Sequence, residues 1–119
     1  MHVDRETRAK VIIEVVANAY GYTGKKIRSR LRERHVVEAR HVAMFIVREQ
    51  CQLSFSEIAR LLGRKDHATV IRAIENVRNW IQTDRDFKAR WPGRIKEVVA
   101  GMAEALPLYS RSRQDTQRR

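Results

Sequence analysis

The chain has 119 residues, 43% of them hydrophobic, and a formal net charge of +11 at pH 7, which fits one folded domain rather than a disordered polymer. The single cysteine, Cys51, excludes an internal disulfide, and no apolar run approaches the roughly 18 residues of a membrane span. The positive field attracts phosphate polymers. Because the N-terminus lacks the layout of a signal peptide, we expect a cytoplasmic protein.

Residues of high helix propensity dominate and few glycines or prolines interrupt them, so we expect an all-α fold. A first helix is predicted over residues 4–20, with Asp4 as its N-cap and Gly21 as a left-handed cap at its end. The core-facing stripe of this helix has the spacing i, i+3, i+4, i+7 and consists of Ile12, Val15, Val16 and Ala19.

The next segment carries the densest positive charge in the chain. Thr23 begins a short helix, and Ile27 and Leu31, four residues apart, are predicted to face the core. Residues 25–34 hold six basic side chains against the single Glu33: Lys25, Lys26, Arg28, Arg30, Arg32 and Arg34. Either this segment is a solvated cationic face, or it is a basic loop that enters a narrow DNA minor groove, for which Arg32 and Arg34 are best placed.

A third helix is predicted over residues 37–50. Its centre, residues 42–47, is apolar on all sides and should form the central post of the domain. Ser54 and Glu57 then have the spacing of a capping box, which predicts a short helix that stops at Gly63.

Three residues after that glycine, Asp66 is predicted to cap a helix that runs to about residue 83. Its apolar stripe is Val70, Ile74, Val77 and Ile81. Two helices joined by a short turn that contains glycine have the layout of a helix-turn-helix.

A last helix is predicted from Pro92 to residue 105, because proline suits a first helical turn. Its inner face should consist of Ile95, Val98, Val99 and Met102. Asp84 and Asp86 are interpreted as loop residues. We therefore expect a helical domain over residues 1–105 and a basic, disordered tail over residues 106–119.

The first turn after Asp66 has two possible roles. Helix N-termini accept phosphates, and in a major groove Asp66 can accept from a cytosine amino group, His67 can donate or stack, and Ala68 can meet a thymine methyl. Alternatively, Asp66 is only a cap and His67 an ordinary surface histidine. Further along the chain, three arginines predicted on polar faces either grip phosphates or stay solvated: Arg40, Arg72 and Arg78.

Enzyme motifs are weak in this chain. The pair Gly24-Lys25 matches the end of a phosphate-binding loop, but Ala19 stands where that motif requires glycine and Lys26 where it requires Ser or Thr. The four histidines and the cysteine show no zinc spacing. We expect no enzyme activity, no metal and no cofactor.

Residues 63–70, Gly-Arg-Lys-Asp-His-Ala-Thr-Val, resemble the Gly-Gly-Arg-Asp-His-Thr-Thr-Val signature of the C-terminal DNA-binding domain of DnaA, the bacterial replication initiator. Residues 39–45 resemble the family's Arg-x-x-Ala-Met-Tyr segment, and residues 54–59 its Ser-Leu-x-Glu-Ile-Gly segment. The resemblance covers about residues 4–83, with weaker support to residue 105. It implies an all-helical domain that binds a short, asymmetric double-stranded site through a helix-turn-helix and a preceding basic loop.

The same resemblance implies base contacts from Asp66, His67 and Ala68 in the major groove and from Arg32 in the minor groove. Backbone contacts are implied for Arg40, His41, Thr69 and Arg72. Charge adds Arg34, Arg64 and Lys65 to the expected backbone contacts. This chain departs from the signature at three positions, where Arg64 replaces the second Gly, Lys65 replaces Arg and Ala68 replaces Thr, so its preferred site is expected to differ.

The expected function is sequence-specific binding of double-stranded DNA by a monomer, as a transcriptional or replication regulator of the nucleoid or of a phage-infected cell. Because the chain lacks the length and the phosphate loop of the initiator's ATPase module, ATP-driven origin opening is not expected. The alternative function is an adaptor that docks on replication or transcription proteins, with Trp80 and Trp91 as candidate anchors. No RNA-module motif supports RNA binding, and no membrane partner is expected.

Overall fold

The computed structural model of the protein describes residues 4–105, in which six α-helices and no strands occur. They are α1 (Arg5–Ala19), α2 (Gly24–Arg28), α3 (Arg34–Cys51), α4 (Phe55–Leu61), α5 (His67–Thr83) and α6 (Arg85–Ala105). The predictions of an all-α fold and of a helix-turn-helix, formed by α4 and α5, are confirmed. The predicted tail lies outside the described residues. No helix within residues 4–105 has the length and apolar character needed to cross a bilayer.

Local side-chain chemistry sets where the helices begin. Asp4 accepts the Thr7 amide at 2.7 Å, and Asp66 accepts the Ala68 amide at 2.9 Å, so both predicted N-caps are confirmed. Ser54 and Glu57 each accept the other's backbone N–H, which completes the predicted capping box.

Helix α3 is the central post of the domain. It packs against α1, α2, α4 and α5, and its side chains from Val42 to Met44, together with Val47, are fully buried. The inner stripes of α1 and α5 meet it, since Ile12, Val16, Val70 and Val77 are also fully buried. The apolar stripe of α5 therefore packs on the core, and the first turn of this helix lies outside the core.

Helix α6 begins at Arg85, seven residues before the predicted start at Pro92, so the boundary prediction was wrong. Asp84 is its cap and accepts the Phe87 amide at 3.0 Å, and Asp86 lies in its first turn rather than in a loop. Pro92 removes one intrahelical N–H donor. The ring of Phe87, which is 5% exposed and packs on Trp80 and Trp91, anchors the helix despite that loss.

Two predicted core residues are exposed. Leu31 is 42% exposed because α2 already ends at Arg28, so residues 29–33, which we call the basic loop, run outside the helix. Val99 is 57% exposed on α6. The basic loop ends at residue 33, because helix α3 starts at Arg34.

The turn of the helix-turn-helix passes close to the basic loop. Gly63 has φ +71°, and the amides of Gly63 and Arg64 donate to the carbonyls of Arg60 and Ala59, which closes α4 in a Schellman motif. A side-chain carbon at Gly63 would lie 3.1 Å from the carbonyl oxygen of Arg28. This position therefore needs glycine for its left-handed backbone and for the close approach.

Candidate nucleic-acid interface

The first turn of α5 is open to solvent. Lys65, Asp66, His67, Ala68 and Thr69 are all exposed, whereas Val70 is fully buried. One oxygen of Asp66 caps the Ala68 amide and lies 3.9 Å from Nδ1 of His67. The turn thus combines a positive dipole end with exposed donors, acceptors and methyl groups, which is the chemistry that reading base edges requires.

A second exposed basic region lies at the other end of α5. Arg32 and Arg34 line one pocket with Trp80 and Asp84. Thirteen residues separate His67 from Trp80, so the two regions are about 20 Å apart along the helix. Adjacent major and minor grooves on one side of B-DNA lie about 17 Å apart, half of a turn, so one duplex can meet both regions.

The prediction that Arg40 lies on an exposed polar face was wrong, since it is only 5% exposed. Its Nε donates to the Ile27 carbonyl at 2.6 Å, and its Nη2 donates to the carbonyls of Ser29 and Leu31 at 2.9 Å each. Burial, with repulsion from Arg64, lowers the pKa of Arg40 to about 10. These contacts give Arg40 a role in holding the basic loop.

Arg64, in the turn of the helix-turn-helix, also contacts the start of this loop. Its Nε donates to Leu62 within the turn at 3.1 Å, and its Nη2 donates to the carbonyls of Arg28, at 3.1 Å, and Ser29. Burial, followed by repulsion from Arg30, lowers the pKa of this guanidinium. Sequence reasoning missed both loop-holding roles, because nothing in the sequence distinguishes these arginines from solvated ones.

His41 is half-buried and stacks on Trp80, with ring centroids 5.7 Å apart and planes 8° apart. Its Nδ1 is buried and has no hydrogen-bond partner among the described residues. Burial, helped by the charges of Arg40 and Arg64, lowers the pKa of His41 to about 4. The imidazole is therefore neutral at pH 7, and a phosphate contact from it stays a prediction that would use an uncharged N–H.

This shift predicts that acid destabilises the fold. The unfolded chain takes up the His41 proton near pH 6.5 and the folded chain only near pH 4. The free energy of unfolding is therefore highest above pH 6.5 and falls as the pH drops toward 4. We expect a loss of about 1–2 kcal/mol in the free energy of unfolding between pH 7 and pH 4.5, allowing for partial solvent screening. Denaturant titrations at several pH values measure it.

His41→Phe is the matched control, because it keeps an aromatic ring on Trp80 and removes the titration. Its free energy of unfolding should stay nearly constant over the same range. Equal pH slopes for the two proteins would contradict the role of His41. The comparison stops at pH 4.5 because the lowered pKa values of Glu6 and Glu57, held by Arg60 and by Ser54 respectively, bring in further losses below that value.

The two tryptophans serve packing within the domain. Phe87 lies between them, with centroids 5.3 Å from Trp80 and 5.2 Å from Trp91, and Trp91 meets the edge of Phe45 at 6.0 Å. These contacts join α6 to α3 and α5. Docking of a protein partner on them stays a prediction.

The Gly24-Lys25 pair does not form a phosphate cradle. The Gly24 amide donates to the Glu14 carboxylate at 3.1 Å, and that carboxylate also pairs with Arg28 at 3.3 Å. An anionic group of the protein thus occupies the donor that a phosphate loop would offer to its ligand.

Comparison with known proteins agrees with this geometry. A family model described as the bacterial dnaA protein helix-turn-helix matches residues 9–77. The crystal structure of a DNA replication initiation factor superposes with a TM-score of 0.68 at 34% identity, covering 85% of this chain and 30% of that chain.

Two curated relatives are chromosomal replication initiator proteins DnaA. That of Aquifex aeolicus (strain VF5) is 46% identical over 77 residues, which make up 65% of this chain and 19% of that protein. That of Chloroflexus aurantiacus (strain ATCC 29366 / DSM 635 / J-10-fl) is 39% identical over 104 residues, which make up 87% of this chain and 20% of that protein. The chain spans about a fifth of the length of these relatives.

Proposed function

This chain belongs to the bacterial DnaA helix-turn-helix family of double-stranded DNA-binding domains, and from that premise we propose that it binds initiator-box-like sites sequence-specifically and regulates transcription or replication. In this proposal it acts as a monomer and without ATP-driven opening of an origin. The occupied Gly24 amide supports the last point, because residues 24–25 cannot cradle a nucleotide phosphate while Glu14 holds that donor.

The observation that carries the proposal is the exposed first turn of α5. Asp66, His67 and Ala68 face solvent at the end of a helix whose later turns are buried against α3. Such a helix can insert its first turn into a major groove without unfolding any packed surface. Base contacts from these three residues are proposed on that ground, and phosphate contacts are proposed for Lys65, Thr69 and Arg72, which are exposed beside them.

The basic loop supplies the second contact. Arg32 is exposed and lies near the C-terminal end of α5, about one groove spacing from the first turn. We assign Arg32 to the minor groove, and Arg34 to the adjacent DNA backbone. A protein that makes different contacts at the two ends of its binding surface favours an asymmetric DNA site, as expected of a monomer.

Selection of bound duplexes from a random pool tests this proposal. We expect one short, asymmetric consensus, read at one end by α5 and at the other by the basic loop. A palindromic consensus would overturn the monomer, and recovery without any consensus would overturn sequence-specific binding. Displacement of a full-length initiator from the selected duplex then tests the regulatory role, since a competitor must occupy the same site.

His67→Ala separates base reading from general attraction. Loss of one base contact should cost about 1–3 kcal/mol on the selected duplex, roughly 5- to 150-fold in Kd, with little change on a shuffled duplex. Asn18→Ala, at an exposed polar position on α1, is the control and should bind like the wild type. Fluorescence anisotropy with both duplexes measures the difference, and equal losses on both would refute the base contact.

A further inference from the structure

The end of α2 and the basic loop are held by two arginines that belong to different parts of the fold. Arg40 comes from α3 and Arg64 from the turn of the helix-turn-helix. Between them they donate to the carbonyls of residues 27, 28, 29 and 31, and the Ser29 carbonyl accepts from both. The path of the loop backbone is thus specified by side chains outside the loop.

Arg64 forms the direct link between the loop and α5. Its Nε donates to the Leu62 carbonyl of its own turn, and this bond fixes the orientation of the guanidinium plane. In that orientation Nη2 donates to the carbonyls of Arg28 and Ser29. Gly63 passes near the same Arg28 carbonyl, since a side-chain carbon at that position would lie 3.1 Å from its oxygen. The turn therefore meets the chain where α2 ends and the basic loop begins.

These contacts carry an electrostatic cost. The acceptors of both guanidiniums are backbone carbonyls, and burial and mutual proximity lower the pKa of Arg40, while burial and Arg30 lower that of Arg64. Guanidinium forks hold several acceptors in a fixed geometry, which a lysine ammonium does not. Positioning of the loop is a function that matches this use of arginine.

We propose that Arg64 is a positioning residue that locks the basic loop to the turn of the helix-turn-helix, so that the loop arginines and the first turn of α5 read one duplex in a fixed register. This inference rests on the proposed DNA-binding function. Arg32 follows the held carbonyl of Leu31 directly. Without Arg64, Arg40 still holds the loop to α3, but the position of the loop relative to the turn must be fixed at the moment of binding, and that ordering costs affinity.

A double-mutant cycle tests the coupling. Arg32→Ala, Arg64→Ala and the double variant of the full chain are measured on the selected duplex and on duplexes altered only in the minor-groove half of the site. Arg64→Ala should reduce the preference for the selected duplex over these altered duplexes by roughly fivefold or more. The double variant should lose little affinity beyond the loss caused by Arg32→Ala alone. Discrimination in the half read by His67 should persist.

Arg64→Lys distinguishes positioning from a phosphate contact, because it keeps the charge but not the fork. We expect it to lose minor-groove discrimination as Arg64→Ala does. Binding like the wild type, or additive losses in the cycle, would overturn the inference and leave the proposed function intact. Failure of the wild type to prefer the selected duplex would instead overturn the proposed function.

Hydrogen exchange provides a readout that needs no DNA. The Leu31 amide, which donates to the Ser29 hydroxyl at 3.3 Å, should exchange faster in both Arg64 variants. Amides in the middle of α3 should keep wild-type protection, which shows that the variants are folded. If Arg64→Ala loses that protection, Arg64→Lys carries the test. Unchanged exchange in the basic loop of a folded variant would overturn the link.

Discussion

Raising the salt concentration from about 50 to about 200 mM should weaken binding to the selected duplex by roughly a thousandfold. The reason is counterion release, since a protein that neutralises about six phosphates gives a slope near −5 for log affinity against log salt. The formal net charge of +11 supplies the attraction. Exposed cations flank both contact regions: Arg30, Arg32, Arg34, Lys65 and Arg72. Fluorescence anisotropy over a salt series measures the slope.

A matched pair of variants locates the charges responsible. Arg72→Ala removes an exposed cation one turn beyond the base-reading turn and should reduce the slope by about one unit on any duplex. Lys96→Ala removes an exposed cation from α6, a helix that carries none of the proposed DNA contacts, and should leave the slope unchanged. Equal slopes for all three proteins would exclude a phosphate contact at Arg72.

Met44→Ala should lower the free energy of unfolding by about 2–5 kcal/mol. Met44 is fully buried in the centre of α3, the helix against which α1 and α5 pack. Truncation removes apolar contacts and leaves a cavity that rigid neighbouring helices fill only in part. For a domain of this size we expect Tm to fall by at least about 8 °C, since 1 kcal/mol shifts it by roughly 4–8 °C. Circular dichroism during heating and denaturant titration measures both quantities.

Val99→Ala is the control for that experiment. Val99 is 57% exposed in the middle of α6, so its truncation should change stability by no more than about 0.5 kcal/mol. A large loss from Val99→Ala would show that this face of α6 is covered in solution. A small loss from Met44→Ala would contradict the central position of α3.

Features with short-range causes were predictable from the sequence. Asp4, Ser54 and Asp66 cap their helices through hydrogen bonds to amides two or three residues away, so residue type and spacing suffice to find them. The left-handed glycines, Gly21 and Gly63, follow from the same local logic.

The candidate site was predictable only in part. The exposure of residues 65–69 follows from polar side chains that precede a helical apolar stripe, and the structure agrees. The orientation of Arg40 and Arg64 does not follow, because their acceptors lie between 9 and 36 residues away, apart from Leu62. The neutral state of His41 likewise depends on burial against Trp80 of α5 and on the guanidinium of Arg64 from the turn, in addition to that of its neighbour Arg40.

The amino-acid sequence was sufficient to establish the helical fold, the helix-turn-helix and its exposed first turn, because periodicity and capping act within one or two helical turns. It was insufficient for the start of α6, because Pro92 is typical of a first helical turn. Only the packing of Phe87 between two tryptophans shows that the helix begins earlier. It was also insufficient for the basic loop, because the pattern of charges does not show that Arg40 and Arg64 donate to the backbone carbonyls of the loop. Both outcomes arise from contacts between residues distant in the chain, and only packing brings those residues together.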